Sequence, residues 1–259
     1  MSKESKGRPR IIDLSVALKN GPQDITAPKI TYRTHAEEAK AAAVYFGLQE
    51  SDFPDGKFAA NEPITLNTHS GTHLDAPLHF GPTTAGKPAK TIDEIPLEWC
   101  YGDGVVLDFT HKKKGDSISV SEIEGALSKI RYSIKPFDIV LIRTGTDKHI
   151  DEPGYENMHA GVSKKATSWL IDHGVKIMGI DAWGWDRPFD VMVAECKAGK
   201  KDQLWESHYL GKEKEYCHIE KLANLDKIPK PYGFKVAVFP VKIEKASAGW
   251  VRAVAFIEE

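Results

Sequence analysis

At 259 residues, with 35 Lys and Arg against 37 Asp and Glu, the chain is long enough for one large domain and carries a formal net charge of only -2. No global basic field invites nucleic acid or an anionic membrane, and no run approaches the ~20 apolar residues of a membrane span. Three cysteines, Cys100, Cys196 and Cys217, are an odd number without Cys-x-x-Cys spacing, which argues against a disulfide framework and makes the cytoplasm the expected compartment.

Residues 1–9 are charged, lack the apolar centre of a signal peptide and are expected to be disordered. Residues 11–18 form the first expected strand, and 22–28 read as a loop. The run 36–46 is rich in strong helix formers, with Gly47 placed to stop it. Turn residues fill 51–56, and 63–68 is expected to lead as a strand into the stretch that concentrates the chemistry.

That stretch, Asn67-Thr-His-Ser-Gly-Thr-His-Leu-Asp-Ala-Pro-Leu-His79, packs three histidines and an aspartate together. His69, His73, Asp75 and His79 share one parity, so an extended backbone would turn all four toward one face. A helix would also align His69 with His73, but Gly71, Thr72 and Pro77 argue against an uninterrupted one. Imidazole nitrogen and carboxylate oxygen suit zinc, manganese or iron, and His-x3-His-x-Asp supplies the three protein ligands of an open, catalytic site.

Gly81-Pro-Thr-Thr-Ala-Gly86-Lys87 imitates a phosphate-binding loop. Pro88 stands where Ser or Thr is required, removing the magnesium ligand and an amide hydrogen, so an NTPase reading fails. Downstream, strands are expected at 104–109, 138–143 and 175–180. Helices should begin at a Ser121-x-x-Glu124 capping box and at Ser163, the latter running to His173. This alternation predicts the α/β class with a partly parallel sheet covered by helices. Strands at 234–239 and 251–256 close the chain as a candidate antiparallel pair. Cys217 beside His218 imitates a catalytic pair, but adjacent side chains diverge. His35, His111, His149, His159 and His173 read as surface histidines.

The motif resembles the His-x-Gly-Thr-His-x-Asp-x-Pro-x-His signature of the cyclase and kynurenine-formamidase-like metal hydrolases, with every fixed position matched. Trp205-Glu-Ser-His208 and 216–225 resemble that family's second block. The 181–189 run, Asp181-Ala-Trp-Gly-Trp-Asp-Arg-Pro-Phe189, together with the long segment before His69, is most similar to the isatin-hydrolase-like branch. The resemblance covers residues from about 11 to the C-terminus. It implies a single-domain swivelling β/β/α fold with a mixed sheet flanked by helices, spanning 1–259, and a homo-oligomer, dimer or tetramer.

Under this resemblance His69, His73 and Asp75 hold a divalent ion, Mn2+ or Zn2+, that polarises a carbonyl and activates water. His79, past Pro77, is the expected base, and an imidazole pKa near ~6.5 suits that role. His208 and Glu220 match positions that complete a second metal site bridged by Asp75, or serve proton transfer where one ion binds. Trp183, Trp185, Phe189 and Phe80 are candidate substrate contacts, and Ser70 and Arg187 are lesser ones. Tyr45, Phe46 and Phe53 are expected in an insertion that helps cover the active site.

The expected activity is opening of a cyclic aromatic amide such as isatin by metal-activated water. The alternatives are an aryl formamidase of the N-formylkynurenine type and a metal-binding homologue without catalysis. Against the formamidase, Gly21-Pro-Gln-Asp24 stands where that branch carries Trp-Pro-Gly-Asp.

Overall fold

A computed structural model describes residues 8–21 and 28–257, so the expectations for 1–7, and for all but the last residue of the loop at 22–28, lie outside it. The chain forms two compact units: residues 18–67, and the flanking segments up to 17 and from 68 onward.

In the smaller unit the helix α1 (His35–Phe46) is set by local chemistry. The Thr34 hydroxyl accepts the Glu37 amide while the Glu37 carboxylate accepts the Thr34 amide, and Gly47 takes the left-handed conformation that ends the helix. Only Ile64–Thr65 of the expected 63–68 strand is extended, pairing antiparallel with Lys29–Ile30. Tyr45 and Phe46 are exposed and pack edge to face on each other, and Phe53 packs on Phe58.

The larger unit is built on a sheet of nine strands among the described residues: β1 (Arg10–Asp13), β2 (His73–Asp75), β3 (Tyr101–Asp108), β4 (Ile139–Arg143), β5 (Ile177–Ile180), β6 (Cys217–Glu220), β7 (Tyr232–Ala237), β8 (Ala248–Trp250) and β9 (Val254–Ile257). The spatial order is β1-β9-β7-β3-β4-β5-β6-β2-β8. The run β3-β4-β5-β6 is parallel and the flanking pairs are antiparallel, giving the mixed sheet expected, including the closing antiparallel pair β7 with β9.

The parallel centre is apolar on both faces. Ile139 and Leu141 of β4 join a core with Leu74, Val106, Ile177 and Ile219. Val140 and Ile142 face the opposite way, against Ile123 and Leu127 of helix α3 (Val120–Ile130) and Ala166 and Leu170 of α4 (Lys164–Asp172). Each such fully buried Ile or Leu stabilises the fold by about 1.5–3 kcal/mol before the entropy of ordering is subtracted. Ser163 caps α4 as expected. The cap of α3 lies two residues earlier than read from sequence, with Ser119 and Glu122 forming the capping box instead of Ser121 and Glu124.

Candidate metal centre

The motif does not run extended to its end. Only His73–Asp75 is strand. His69 approaches from a turn in which Gly71 adopts φ +60°, and His79 comes from the short helix α2 (Pro77–Phe80), opened by Pro77 at a position that needs no amide hydrogen. The shared-parity argument therefore gives the right faces for His73 and Asp75 and the wrong geometry for His69 and His79.

Cross-strand register supplies the rest. β6 pairs antiparallel with β2 so that His218 lies opposite Asp75 and Glu220 opposite His73. Because side chains alternate, Cys217, Ile219 and Leu74 enter the apolar core while His73, Asp75, His218 and Glu220 share the other face. His208 joins them from α5 (Glu206–Leu210).

Two overlapping groups result, His69 with His73 and Asp75, and Asp75 with His208, His218 and Glu220. In the first, His69 Nδ1 lies 2.8 Å and His73 Nε2 3.3 Å from Asp75 Oδ1. In the second, His218 Nε2 lies 3.0 Å from Asp75 Oδ2 and 3.4 Å from Glu220 Oε1, and His208 Nε2 is 3.9 Å and 3.7 Å from the same two oxygens.

Outer contacts aim these donors. The Nδ1–H of His73 donates to the Gly71 carbonyl at 2.8 Å and that of His208 to Asp186 Oδ2 at 2.6 Å, leaving both Nε2 lone pairs to face the carboxylates. Glu220 Oε1 accepts the Trp185 amide at 2.9 Å, and the Lys221 ammonium donates to the His69 carbonyl at 3.0 Å. What remains is a set of buried atoms without a hydrogen-bond partner: His73 Nε2, both Asp75 oxygens and both His218 nitrogens. Two carboxylates and convergent imidazole lone pairs, sealed from water, fit a divalent cation.

Electrostatics agree. Burial pushes the Asp75 carboxyl up, but His79, His73, His218 and His69 outweigh it and hold the group well below the usual carboxylate range. Burial acts likewise on Glu220, and the His218 ring 3.4 Å away reverses it, so both are ionised at neutral pH. His218 is driven down by burial and then lifted to about 9 by those two carboxylates. His79 goes the other way, pushed down to about 4 chiefly by burial, with Asp75 opposing and His208 reinforcing the fall. Its side chain keeps about 20% of its surface, with Nε2 3.8 Å from Asp75 Oδ2 and the ring 4.1 Å from that of His69.

Three expectations are corrected. Trp185 has no exposed face: it stacks on His218 and donates its indole N–H to Thr167, so it packs behind the site instead of meeting a substrate. Phe80 is likewise closed off, stacked on Tyr216 at 4.8 Å. His159 is buried, not superficial, held neutral by desolvation at about 4 and bonded through Nε2 to the Asp186 carbonyl. Trp183 and Phe189 are half-buried and packed edge to face on each other. Arg187 is taken by Glu195 and Gln203, and Ser70 is fully buried with its hydroxyl unpartnered.

The Cyclase family model matches residues 12–187, more than half of the chain. The chain belongs to the Cyclase family. Among its relatives, the kynurenine formamidase of Paracidovorax citrulli is 28% identical over 191 residues, covering 74% of this chain and 77% of that protein. The isatin hydrolase of Roseibium aggregatum is 26% identical over 214 residues, 78% and 77% of the two chains. In fold, this Cyclase-family chain is similar to isatin hydrolase A from Ralstonia solanacearum, with a TM-score of 0.77 at 22% identity over 96% of this chain and 92% of that one.

Sequence reasoning missed His218 and Asp186. For His218 the signal was present: Cys-His-Ile-Glu alternates apolar and polar with period two, which on a strand puts His218 on the face of Glu220. Asp186 sat inside the 181–189 run, whose aromatic residues drew attention first.

Proposed function

We propose that the chain is a metal-dependent hydrolase that opens the C–N bond of a cyclic aromatic amide of the isatin class. The observation that carries this is the buried set of unpartnered His73, Asp75 and His218 atoms beside a histidine, His79, that keeps about 20% of its side-chain surface open to solvent. His69, His73 and Asp75 would hold one ion, and His208, His218 and Glu220 with Asp75 offer a place for a second. When bound, the metal would polarise the scissile carbonyl and acidify a water molecule, Lewis-acid chemistry suited to amide hydrolysis.

The protein's own residues supply the remainder. His79 is neutral at pH 7, so its ring nitrogen stands ready to accept a proton and return it to the departing amide nitrogen. Asp186 and the Gly71 carbonyl fix the orientation of His208 and His73. The half-buried Trp183 and Phe189 support recognition of a flat aromatic ring. The names of the two relatives support amide C–N chemistry, and the N/O donor set supports Mn2+ or Zn2+, one or two per chain.

Three free thiols are consistent with the cytoplasm, and among the described residues no helix is long and apolar enough to cross a membrane. Exposed Val44, Tyr45 and Phe46 on α1 support assembly as a homo-oligomer. The second reading is an aryl formamidase, favoured by the second ligand set.

Chelator-stripped protein, reconstituted and assayed by elemental analysis alongside loss of isatin absorbance, separates the readings. About one metal per chain with turnover supports isatin-like hydrolysis. About two without isatin turnover sends the reading to N-formyl substrates, and no turnover of any amide leaves a binding protein. His79→Ala should cost roughly 10²- to 10⁴-fold in kcat with folding intact; an unchanged rate removes His79 from the mechanism.

A further inference from the structure

One aromatic residue beside the metal centre is held in a costly backbone conformation. Trp205, at the N-cap of α5, has φ +54° and ψ +41°, the left-handed region that L side chains adopt only at a cost. Its neighbours hold it there: the amide donates to the sulfur of the buried Met192 at 3.2 Å, and the carbonyl accepts the Tyr209 amide at 3.0 Å.

The conformation places the indole against both histidines. The ring stacks on His208 at 4.3 Å and 19°, and meets His79 edge to face at 5.4 Å and 87°. Phe189 backs it at 5.9 Å. The bond from His208 Nδ1–H to Asp186 fixes where that ring points but leaves it free to rock about the bond axis, and a flat wall at 4.3 Å removes that freedom.

We propose that Trp205 is a positioning residue: its left-handed backbone holds the indole so that the ring planes of His208 and His79 are fixed relative to Asp75 and Glu220. This rests on the reading of the site as a metal centre. Three features point to selection for placement over packing. The residue is half-buried, so it adds little to the core, its backbone is strained, and both of the closest rings it meets belong to the site. A left-handed position at a helix start is otherwise filled at least expense by Gly or Asn.

The test compares Trp205→Phe, Trp205→Ala and Trp205→Gly in the full chain. Zn2+ affinity is measured by competition with a chromophoric chelator, which needs no turnover. Ala and Gly should bind roughly 10- to 100-fold more weakly, the range seen when groups orienting metal ligands are removed, while Phe, which restores a stacking ring, should stay within about threefold. On the reconstituted enzyme, kcat should fall with KM nearly unchanged. Gly should melt above Ala, because only glycine relieves the strained backbone.

Zn2+ affinity and kcat within about twofold of wild type in Trp205→Ala would overturn the proposal. So would a rise in KM with kcat held, which would make the ring a substrate wall and nothing more. The order of Gly and Ala is read on metal-free protein, so it tests the strained backbone even if the wild type binds no Zn2+ and the metal reading itself fails.

Discussion

Asp186→Asn isolates the second layer of the centre. The Asp186 carboxylate accepts three hydrogen bonds in a nearly dry pocket: Oδ1 takes the Ser207 amide at 2.8 Å, and Oδ2 takes the His208 amide at 3.0 Å and His208 Nδ1 at 2.6 Å. Asparagine has the same shape but only one acceptor oxygen. If that oxygen stays toward His208, the Ser207 N–H faces an NH2 group and is orphaned. If it turns toward Ser207, the His208 amide is orphaned, and His208 must move its ring proton to Nε2, where it points at Asp75 and Glu220 and can no longer donate a lone pair.

Either way one buried N–H loses its partner, at about 1–3 kcal/mol. With an unfolding entropy near 0.5 kcal/mol/K for a chain of this length, Tm should fall by roughly 2–6 °C in chelator. Metal affinity should fall by roughly 10- to 100-fold, so the stabilisation gained on adding metal should shrink as well. Thermal melts with and without Zn2+ read both. A variant that melts within 1 °C of wild type under both conditions would refute the reasoning, because it would mean the three bonds do not orient His208.

Gly161→Ala should disturb the same pocket from behind, because a Cβ there would stand 2.1 Å from the Arg187 amide nitrogen and 2.3 Å from the Asp186 carbonyl carbon. Backbone cannot step aside as a flexible side chain can, so a loss of about 3 kcal/mol or more is expected, read as a lower Tm or loss of soluble protein; a Tm within 2 °C of wild type would contradict it. Glu122 is half-buried, its side chain keeping about 34% of its surface. Burial pushes its carboxyl up, but Lys112 at 2.8 Å and the Ser119 amide and hydroxyl bring it down to about 2. Since its folded value lies below the unfolded one, its contribution is complete above about pH 4.5 and is lost as pH falls toward 2. Glu122→Gln keeps the cap but cannot titrate, so Tm should decline less steeply with acid than in wild type; parallel curves would show that Glu122 does not drive the loss.

Local signals were legible wherever chemistry within a few residues decides structure. Gly47 ends α1, Ser163 opens α4, and the apolar 138–143 run becomes a strand buried on both faces. They slipped where two equally good local choices competed, as with Ser119 and Ser121 at α3: both precede an acidic residue by three positions, and packing of Ile123 and Leu127 chose between them. Surface or core was likewise undecidable for His159, whose polarity favours water until a carbonyl at 3.1 Å takes its place.

By itself the sequence determined the α/β class, the clustering of His69, His73 and Asp75 as candidate ligands, and the histidine beyond Pro77, because caps, periodicity and close spacing act through the chain itself. Only the tertiary structure decided that His218 joins His208 and Glu220 around Asp75, that Asp186 aims His208, and that Trp185 and Phe80 are buried behind the site. The place of His218 depends on the register of two strands more than 140 residues apart, in which Asp75 meets His218 and His73 meets Glu220. Register is fixed by which faces must be buried across the whole sheet, and no spacing along the chain encodes it.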